Sequence, residues 1–65
     1  MKILVNGVLR ETVATQLAAT LEELGYAGRV VATALNGEFV TLEARERTPL
    51  RDGDRLEVLA PMQGG

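Results

Sequence analysis

The stretch that decides the fold is LRDGDRLEVLAPMQGG, residues 50–65. Asp52 and Gly53 are typical of a tight turn, so a new element begins after them. Apolar residues then occupy every second position, namely Leu56, Val58 and Ala60. This alternation predicts a last, half-buried strand, and Pro61 ends it because proline has no N–H to donate to a neighbouring strand.

A first hairpin is predicted at the opposite end of the chain. Residues 1–5 form an apolar, β-rich run that meets Asn6-Gly7. Asn-Gly tolerates the positive φ that a type I′ turn requires at both central positions. We therefore expect a return strand over residues 8–11 or 8–13, with Arg10 and Glu11 in solvent.

A second hairpin is predicted in the middle of the chain. Residues 30–35 are small or β-branched, which favours a central strand buried on at least one face. That run meets a second turn, Asn36-Gly37, so the return strand is expected over residues 38–42. The charged stretch EARERT at residues 43–48 is predicted to be an irregular connection outside the core.

Between the two hairpins the hydrophobic period changes to that of a helix over residues 15–25. The apolar residues on one face of this helix are Leu17, Leu21, Leu24 and, just upstream, Val13. Thr15 is predicted to cap the first turn, with Thr12 as the competing cap, and Gly25 is predicted to end the helix. The glutamates at residues 22–23 lie away from the leucine face and are expected in water.

The order hairpin, helix, hairpin, connection, strand predicts an α+β domain with one main helix packed across a mixed sheet. Parallel pairing of the first and last strands at the centre of that sheet would make it a β-grasp, the arrangement of ubiquitin-like proteins. Residues 1–60 are predicted to form this domain. Residues 61–65 are predicted to be a flexible C-terminal tail that ends in Gly-Gly.

Composition excludes several classes of function. The chain has 65 residues, too few for an enzyme cleft between lobes, and it has no Cys and no His, so we expect neither an enzyme nor a metal site. Asp52 and Asp54 form a turn more simply than a catalytic carboxylate pair. A net charge of -2 with one Tyr and one Phe argues against nucleic acid. The opening residues lack a signal peptide or membrane helix, so the expected location is the cytoplasm.

The terminal glycines point to chemistry rather than to folding. A C-terminal carboxylate is ionised at neutral pH and is a poor electrophile, so it must be activated before it can accept a nucleophile. Coupling to AMP creates a leaving group that sulfur or nitrogen can displace. Gly64 and Gly65 have no Cβ, which lets the backbone enter a narrow channel in another protein.

Four stretches together carry a family resemblance: MKILVNG, LEELGY, VVATALNGEFV and LRDGDRLEVLAPMQGG. With the chain length, they make the sequence resemble the ThiS family of sulfur carriers in thiamine biosynthesis. The resemblance covers essentially the whole chain, and its most specific part is residues 50–65. Two departures are the compact VLRETVA and the absence of an aromatic residue from EARERTPL; they concern partner contacts rather than the tail.

The resemblance implies a ubiquitin-like β-grasp that is not itself an enzyme and binds no cofactor of its own. A ThiF-type adenylyltransferase, using ATP and magnesium, would adenylate the carboxylate of Gly65, with Gly64 as its flexible neighbour. With a sulfur-donor enzyme the adenylate would become a thiocarboxylate. The thiazole synthase ThiG would take that sulfur for the thiazole moiety of thiamine.

Three residues are candidates for partner docking. Phe39, Leu59 and Met62 are the apolar side chains expected to stay exposed on the sheet or near the tail. Phe39 is also a candidate for the core, since aromatic side chains are usually buried. Met62 has an adaptable thioether that suits successive partners. Gln63 is assigned to the flexible tail, where its side chain could hydrogen-bond to the backbone of a partner's channel or stay in solvent.

Alternative functions stay open from the residues alone. A sulfur carrier for another pathway, such as the molybdopterin carrier MoaD, would share the tail chemistry and differ in the acceptor. A ubiquitin-like protein modifier would place the Gly65 acyl group on a lysine. A plain interaction or ligand-binding β-grasp module would not need its glycines.

Overall fold

Five strands, one α-helix and one 3₁₀ turn make up the part of the chain that the computed structural model describes, residues 1–61. In chain order they are β1 (Lys2–Val5), β2 (Val8–Glu11), α1 (Leu17–Glu23), β3 (Ala32–Leu35), β4 (Glu38–Val40), the 3₁₀ turn (Arg45–Arg47) and β5 (Arg55–Leu59). This is the predicted order of elements, with shorter strands and a shorter helix.

The strands form one mixed sheet in the order β2-β1-β5-β3-β4. β1 pairs in parallel with β5, and the other three pairings are antiparallel. The first and last strands therefore lie together inside the sheet, as the predicted β-grasp requires. The central strand is β5, while β3 is an interior strand beside it.

Both predicted Asn-Gly turns are confirmed. Asn6 and Gly7 have φ of 50° and 82°, and Asn36 and Gly37 have φ of 51° and 87°. Both central positions of each turn are thus left-handed, which a type I′ turn requires. The return strand of the second hairpin ends earlier than predicted: β4 stops at Val40, and Leu42 beyond it is exposed.

The core lies between α1 and one face of the sheet. Its buried side chains alternate along the strands and recur on the helix: Ile3, Val5, Leu56 and Val58 from the sheet, and Leu17 and Leu21 from α1. Leu24 packs partly buried against them, so the predicted leucine face is confirmed. Ala60 is exposed, because β5 ends at Leu59.

The predicted start of the helix is wrong. Residue 16 is the N-cap position, has an extended backbone, and makes no side-chain capping bond; Thr15 is therefore not the cap. The cause is tertiary pairing: Leu17 N–H donates to Thr48 O at 2.8 Å and Leu50 N–H donates to Thr15 O at 3.0 Å. Val13, which the sequence placed on the leucine face, is 90% exposed. Gly25, with φ of 94°, ends the helix as predicted.

The predicted solvated positions need two corrections. Arg45, in the charged connection, is only 8% exposed. Its Nε donates to Thr33 Oγ1 at 3.1 Å and its Nη2 donates to Val31 O at 2.6 Å. Glu23 is exposed as expected, but its carboxylate accepts hydrogen bonds from Thr12 Oγ1 and nearby backbone rather than from water alone.

Candidate functional site

The predicted reaction centre falls at the end of the chain. Met62, Gln63, Gly64 and Gly65 lie outside the described residues, so their predicted roles stay predictions. The structure does describe how the chain reaches them. It leaves the central strand at Leu59 and continues through residues 60–61, which are exposed.

The last residues of β5 are held on both edges. On one edge β3 pairs with β5 as far as Ala32 opposite Leu59. On the other edge the side chain of Asn6 accepts a hydrogen bond from Val58 N–H at 2.8 Å. A groove of about 360 Å³ beside this point is lined by residues that include Val30 and Pro61. The end of β5 is therefore held on both of its edges, directly before the last residues that the structure describes.

The sheet has a second face, turned away from α1, which we call the open face. Residues directly opposite one another on neighbouring strands lie on the same side of a sheet. The register therefore assigns to the open face the residues that alternate with the buried ones: Lys2, Leu4, Leu9, Glu11, Ala32, Ala34, Phe39, Arg55, Glu57 and Leu59.

Both docking candidates within the described residues lie on the open face. Phe39 is 70% exposed and Leu59 is 68% exposed, so Phe39 is not a core residue. Phe39 stands on β4, opposite Ala34, and Leu59 stands on β5, opposite Ala32. The two strands flank β3, so their backbones are about 10 Å apart. Small alanine side chains therefore lie between two exposed apolar side chains.

Two further leucines extend this surface, and the sequence reasoning missed both. Leu9 is 62% exposed and lies opposite Leu4 across the first hairpin. Leu4 and Leu59 both line a depression of about 530 Å³ on the open face. The signal that could have found them is the Asn6-Gly7 turn, because a two-residue turn fixes the hairpin register and so pairs Leu4 with Leu9.

The open face also carries two charges on the central strand. Arg55 lies opposite Leu4, and Glu57 lies opposite Ala34. They separate the Leu4–Leu9 pair from the Phe39 side of the face. A partner on this surface therefore needs apolar contacts together with groups of both charges.

Two absences hold for residues 1–61, the part of the chain that the structure describes. Within that range no group of three or more His, Cys, Asp or Glu side chains is placed to hold a metal ion. The α-helix of the described residues is too short to cross a bilayer.

The match to a family model covers residues 3–65, and the model describes the ThiS family. This chain belongs to the ThiS family. A curated relative, the sulfur carrier protein ThiS of Thermus thermophilus, is 49% identical over 61 residues, which are 92% of this chain and 94% of the relative. The chain is thus a ThiS-type sulfur carrier of thiamine biosynthesis.

Solved structures of the ThiS family have the same fold. The crystal structure of the thiamine biosynthesis protein ThiS from Geobacter metallireducens is 33% identical, with a TM-score of 0.84 over 100% of both chains. A solution structure of a thiamine biosynthesis protein from that organism has a TM-score of 0.80 and 33% identity, covering 100% of this chain and 88% of that one. The β-grasp prediction is confirmed.

One ThiS-like region occurs inside a much longer protein. A thiazole synthase of Paramagnetospirillum magneticum is 38% identical to this chain over 66 residues. The aligned region is 100% of this chain and 20% of that protein. In that protein a ThiS-like stretch is therefore part of the same polypeptide as a further four-fifths of chain.

Proposed function

We propose that this ThiS-family chain carries sulfur as a thiocarboxylate on Gly65 and is a substrate of its partners rather than an enzyme. A ThiF-type adenylyltransferase supplies the ATP and magnesium chemistry, a sulfur-donor enzyme supplies the sulfur, and the thiazole synthase ThiG receives it. The observation that carries the proposal is the family match, which runs through the whole domain and includes residues 62–65.

The proposed chemistry balances without an oxidant. A carboxylate oxygen of Gly65 attacks the α-phosphorus of ATP, and pyrophosphate leaves, giving an acyl adenylate. With hydrosulfide as the simplest donor, a C–S bond forms at the carbonyl carbon while the C–O bond to AMP breaks. Loss of the thiol proton leaves the thiocarboxylate, and no atom changes oxidation state. The carrier contributes only the acyl group.

ThiG is proposed as the acceptor because of the longer relative. In the thiazole synthase of Paramagnetospirillum magneticum a ThiS-like region shares one polypeptide with the rest of the protein. A covalent link raises the effective concentration of one region beside the other, which is useful when the two meet in every reaction cycle. This argues for a thiazole synthase partner over the MoaD-type and protein-modifier alternatives.

Docking is proposed to use the open face. Leu59 lies on this face at the end of β5, so a partner that covers it also meets the chain where it leaves the sheet. The face offers exposed leucines and Phe39 to another protein. The same surface would serve the ThiF-type enzyme and ThiG in turn.

The test is ATP–pyrophosphate exchange with a ThiF-type enzyme. Removal of Gly65 is expected to abolish exchange, because the acyl group that forms the adenylate is displaced. Gly64→Leu should lower the rate by about 100-fold or more, because the new side chain misplaces the carboxylate in the channel. Glu43→Leu is the matched control, since Glu43 is exposed and lies outside the open face. Full exchange by the chain that lacks Gly65 would reject the proposal.

A further inference from the structure

The central strand is held beyond the end of β1 by a side chain. The parallel pairing of β1 with β5 reaches Val5 opposite Leu56, and Asn6 N–H donates to Leu56 O at 2.9 Å. The main chain then turns away at Gly7. Beyond this point the Asn6 side chain continues the pairing: its Oδ1 accepts from Val58 N–H at 2.8 Å, and its Nδ2 donates to Val58 O at 3.1 Å.

The orientation of this amide is set by chemistry. Val58 N–H needs an acceptor and Val58 O needs a donor, and the two ends of an asparagine amide supply one of each. The left-handed φ of 50° at Asn6 is required by the turn itself. Asn6 therefore has two roles. Its backbone forms the turn, and its side chain makes the hydrogen bonds to Val58 that the backbone of a longer β1 would otherwise make.

This bond lies directly before the proposed reactive tail. Val58 is held by Asn6 on one edge of β5, and Leu59 is paired with Ala32 on the other. Pro61 follows, with no N–H to donate. Residues 60–65 follow the end of β5 in the sequence, and a chain of that length spans at most about 20 Å.

We propose that Asn6 is a positioning residue for acyl transfer: its amide fixes the point and direction at which the chain leaves the sheet. This rests on the proposed function, because direction matters only if the end of the chain must enter a partner's active site. Asn6 touches no reacting atom. It acts through Val58, so that a partner seated on the open face meets the tail in one orientation rather than many.

The second Asn-Gly turn supplies a matched control. Asn36 makes comparable side-chain hydrogen bonds at the other end of β5: its Oδ1 accepts from Arg55 N–H at 2.9 Å, and its Nδ2 donates to Asp54 Oδ1 at 3.0 Å. Asn36 also has a left-handed φ, of 51°. The two asparagines therefore have the same turn role and the same kind of bond to β5, but only Asn6 bonds to the strand end beside the tail.

The experiment compares Asn6→Gly with Asn36→Gly. Glycine keeps the positive φ of both turns and removes only the amide. For Asn6→Gly we expect kcat/KM in ATP–pyrophosphate exchange to fall by roughly fivefold to tenfold, the effect of losing two hydrogen bonds that orient the tail. Hydrogen exchange of the Val58 amide should accelerate by about tenfold, and the heteronuclear NOE of the Ala60 amide should fall. Asn36→Gly should leave all three unchanged within about twofold.

A further variant separates the two bonds. Asn6→Asp keeps the acceptor for Val58 N–H and loses the donor to Val58 O, so its kcat/KM should lie between the values for the unsubstituted chain and Asn6→Gly. Equal kcat/KM for the two glycine variants, or an unchanged Ala60 NOE in Asn6→Gly, would overturn the positioning role. Absence of exchange by the unsubstituted chain would instead reject the proposed function, and the amide measurements would still decide whether Asn6 fixes the strand end.

Discussion

Arg45 illustrates, at the scale of one residue, how a charged side chain can be part of the core. It lies in the 3₁₀ turn, and its guanidinium donates to Thr33 Oγ1 and to Val31 O. Both acceptors belong to β3 or to the residue just before it. Thr33 Oγ1 in turn donates to Val40 O at 2.9 Å, so the network reaches β4. The residue thus joins the charged connection to the buried edge of the second hairpin.

Arg45→Ala is expected to lower the free energy of unfolding by about 2–3 kcal/mol, because it leaves a buried hydroxyl and a buried carbonyl without their donor. Urea denaturation measures this. Arg47→Ala is the control, since Arg47 is exposed in the same 3₁₀ turn, and its effect should stay within about 0.5 kcal/mol. Equal stability of the two variants would show that the bonds of Arg45 are not stabilising.

The open face is tested by placing a charge at its exposed apolar positions. Leu59→Asp and Phe39→Asp should each weaken binding to a ThiF-type enzyme by about tenfold or more, because an unpaired carboxylate would be buried at the contact. Leu42→Asp is a matched control. The exposed fraction of Leu42 is 69%, almost the same as that of Phe39 and Leu59, but Leu42 lies outside the open face. Isothermal titration calorimetry gives the affinities. Similar losses in all three variants would assign the effect to charge in general and not to this surface.

At the scale of elements, Glu23 connects the end of β2 to the end of α1. Its carboxylate accepts from the hydroxyl of Thr12, from Val13 N–H at 3.1 Å and from Ala14 N–H at 3.2 Å. These hydrogen bonds lower the pKa of Glu23 below its ordinary value. The bond from Thr12 is the largest cause, and the bond from the Val13 backbone is the next. The segment between strand and helix is therefore held by an ionised group.

The hydrogen bonds to the Glu23 carboxylate make a pH-dependent contribution to the free energy of unfolding. Because the pKa of Glu23 is lower in the folded state, the contribution is complete above the pKa of the unfolded chain and is lost as pH falls through the folded value. Glu23→Gln should therefore flatten the acid limb of a stability–pH profile measured by urea unfolding. Glu22→Gln, one position earlier on the exposed side of α1, should keep the slope of the unsubstituted chain. An unchanged slope in Glu23→Gln would contradict this contribution of the Glu23 carboxylate.

The elements that the sequence predicted well are those with local causes. Both Asn-Gly turns, the leucine face of α1, its end at Gly25 and the last strand follow from turn chemistry and hydrophobic period. The start of α1 does not, because residues 15–17 bond to residues 48–50 instead of continuing the helix. No local signal marks a pairing between segments more than thirty positions apart.

At the scale of the whole molecule, the sequence could indicate the fold but only part of the candidate site. The open face depends on strand order and register: Leu9 meets Leu4 through a hairpin, and Leu59 meets Ala32 across two strands far apart in the chain. Leu59 was predicted as exposed and is exposed, whereas Phe39, for which the sequence left both a core and an exposed position open, is exposed and not part of the core. The hydrogen bonds between the Asn6 side chain and Val58 were missed because they join two distant parts of the chain.

The two faces of the sheet divide the work of the molecule. One face and α1 bury the core that stabilises the domain, while the other leaves apolar side chains exposed, and these are the side chains that the proposed docking would cover. The strand that runs through the middle, β5, contributes to both and then leads into the tail. In the proposed function the domain therefore supports the acyl end of the chain beside the surface on which partners dock.

The central claim is that Gly65 carries sulfur in place of a carboxylate oxygen. The most direct measurement is the intact mass of the chain after incubation with a ThiF-type enzyme, ATP, magnesium and a sulfide source. The account predicts a mass increase equal to the exchange of one oxygen for one sulfur, located in the C-terminal peptide and absent from the chain that lacks Gly65. An unchanged mass while the enzyme converts an established carrier, or the same increase in the shortened chain, would contradict it.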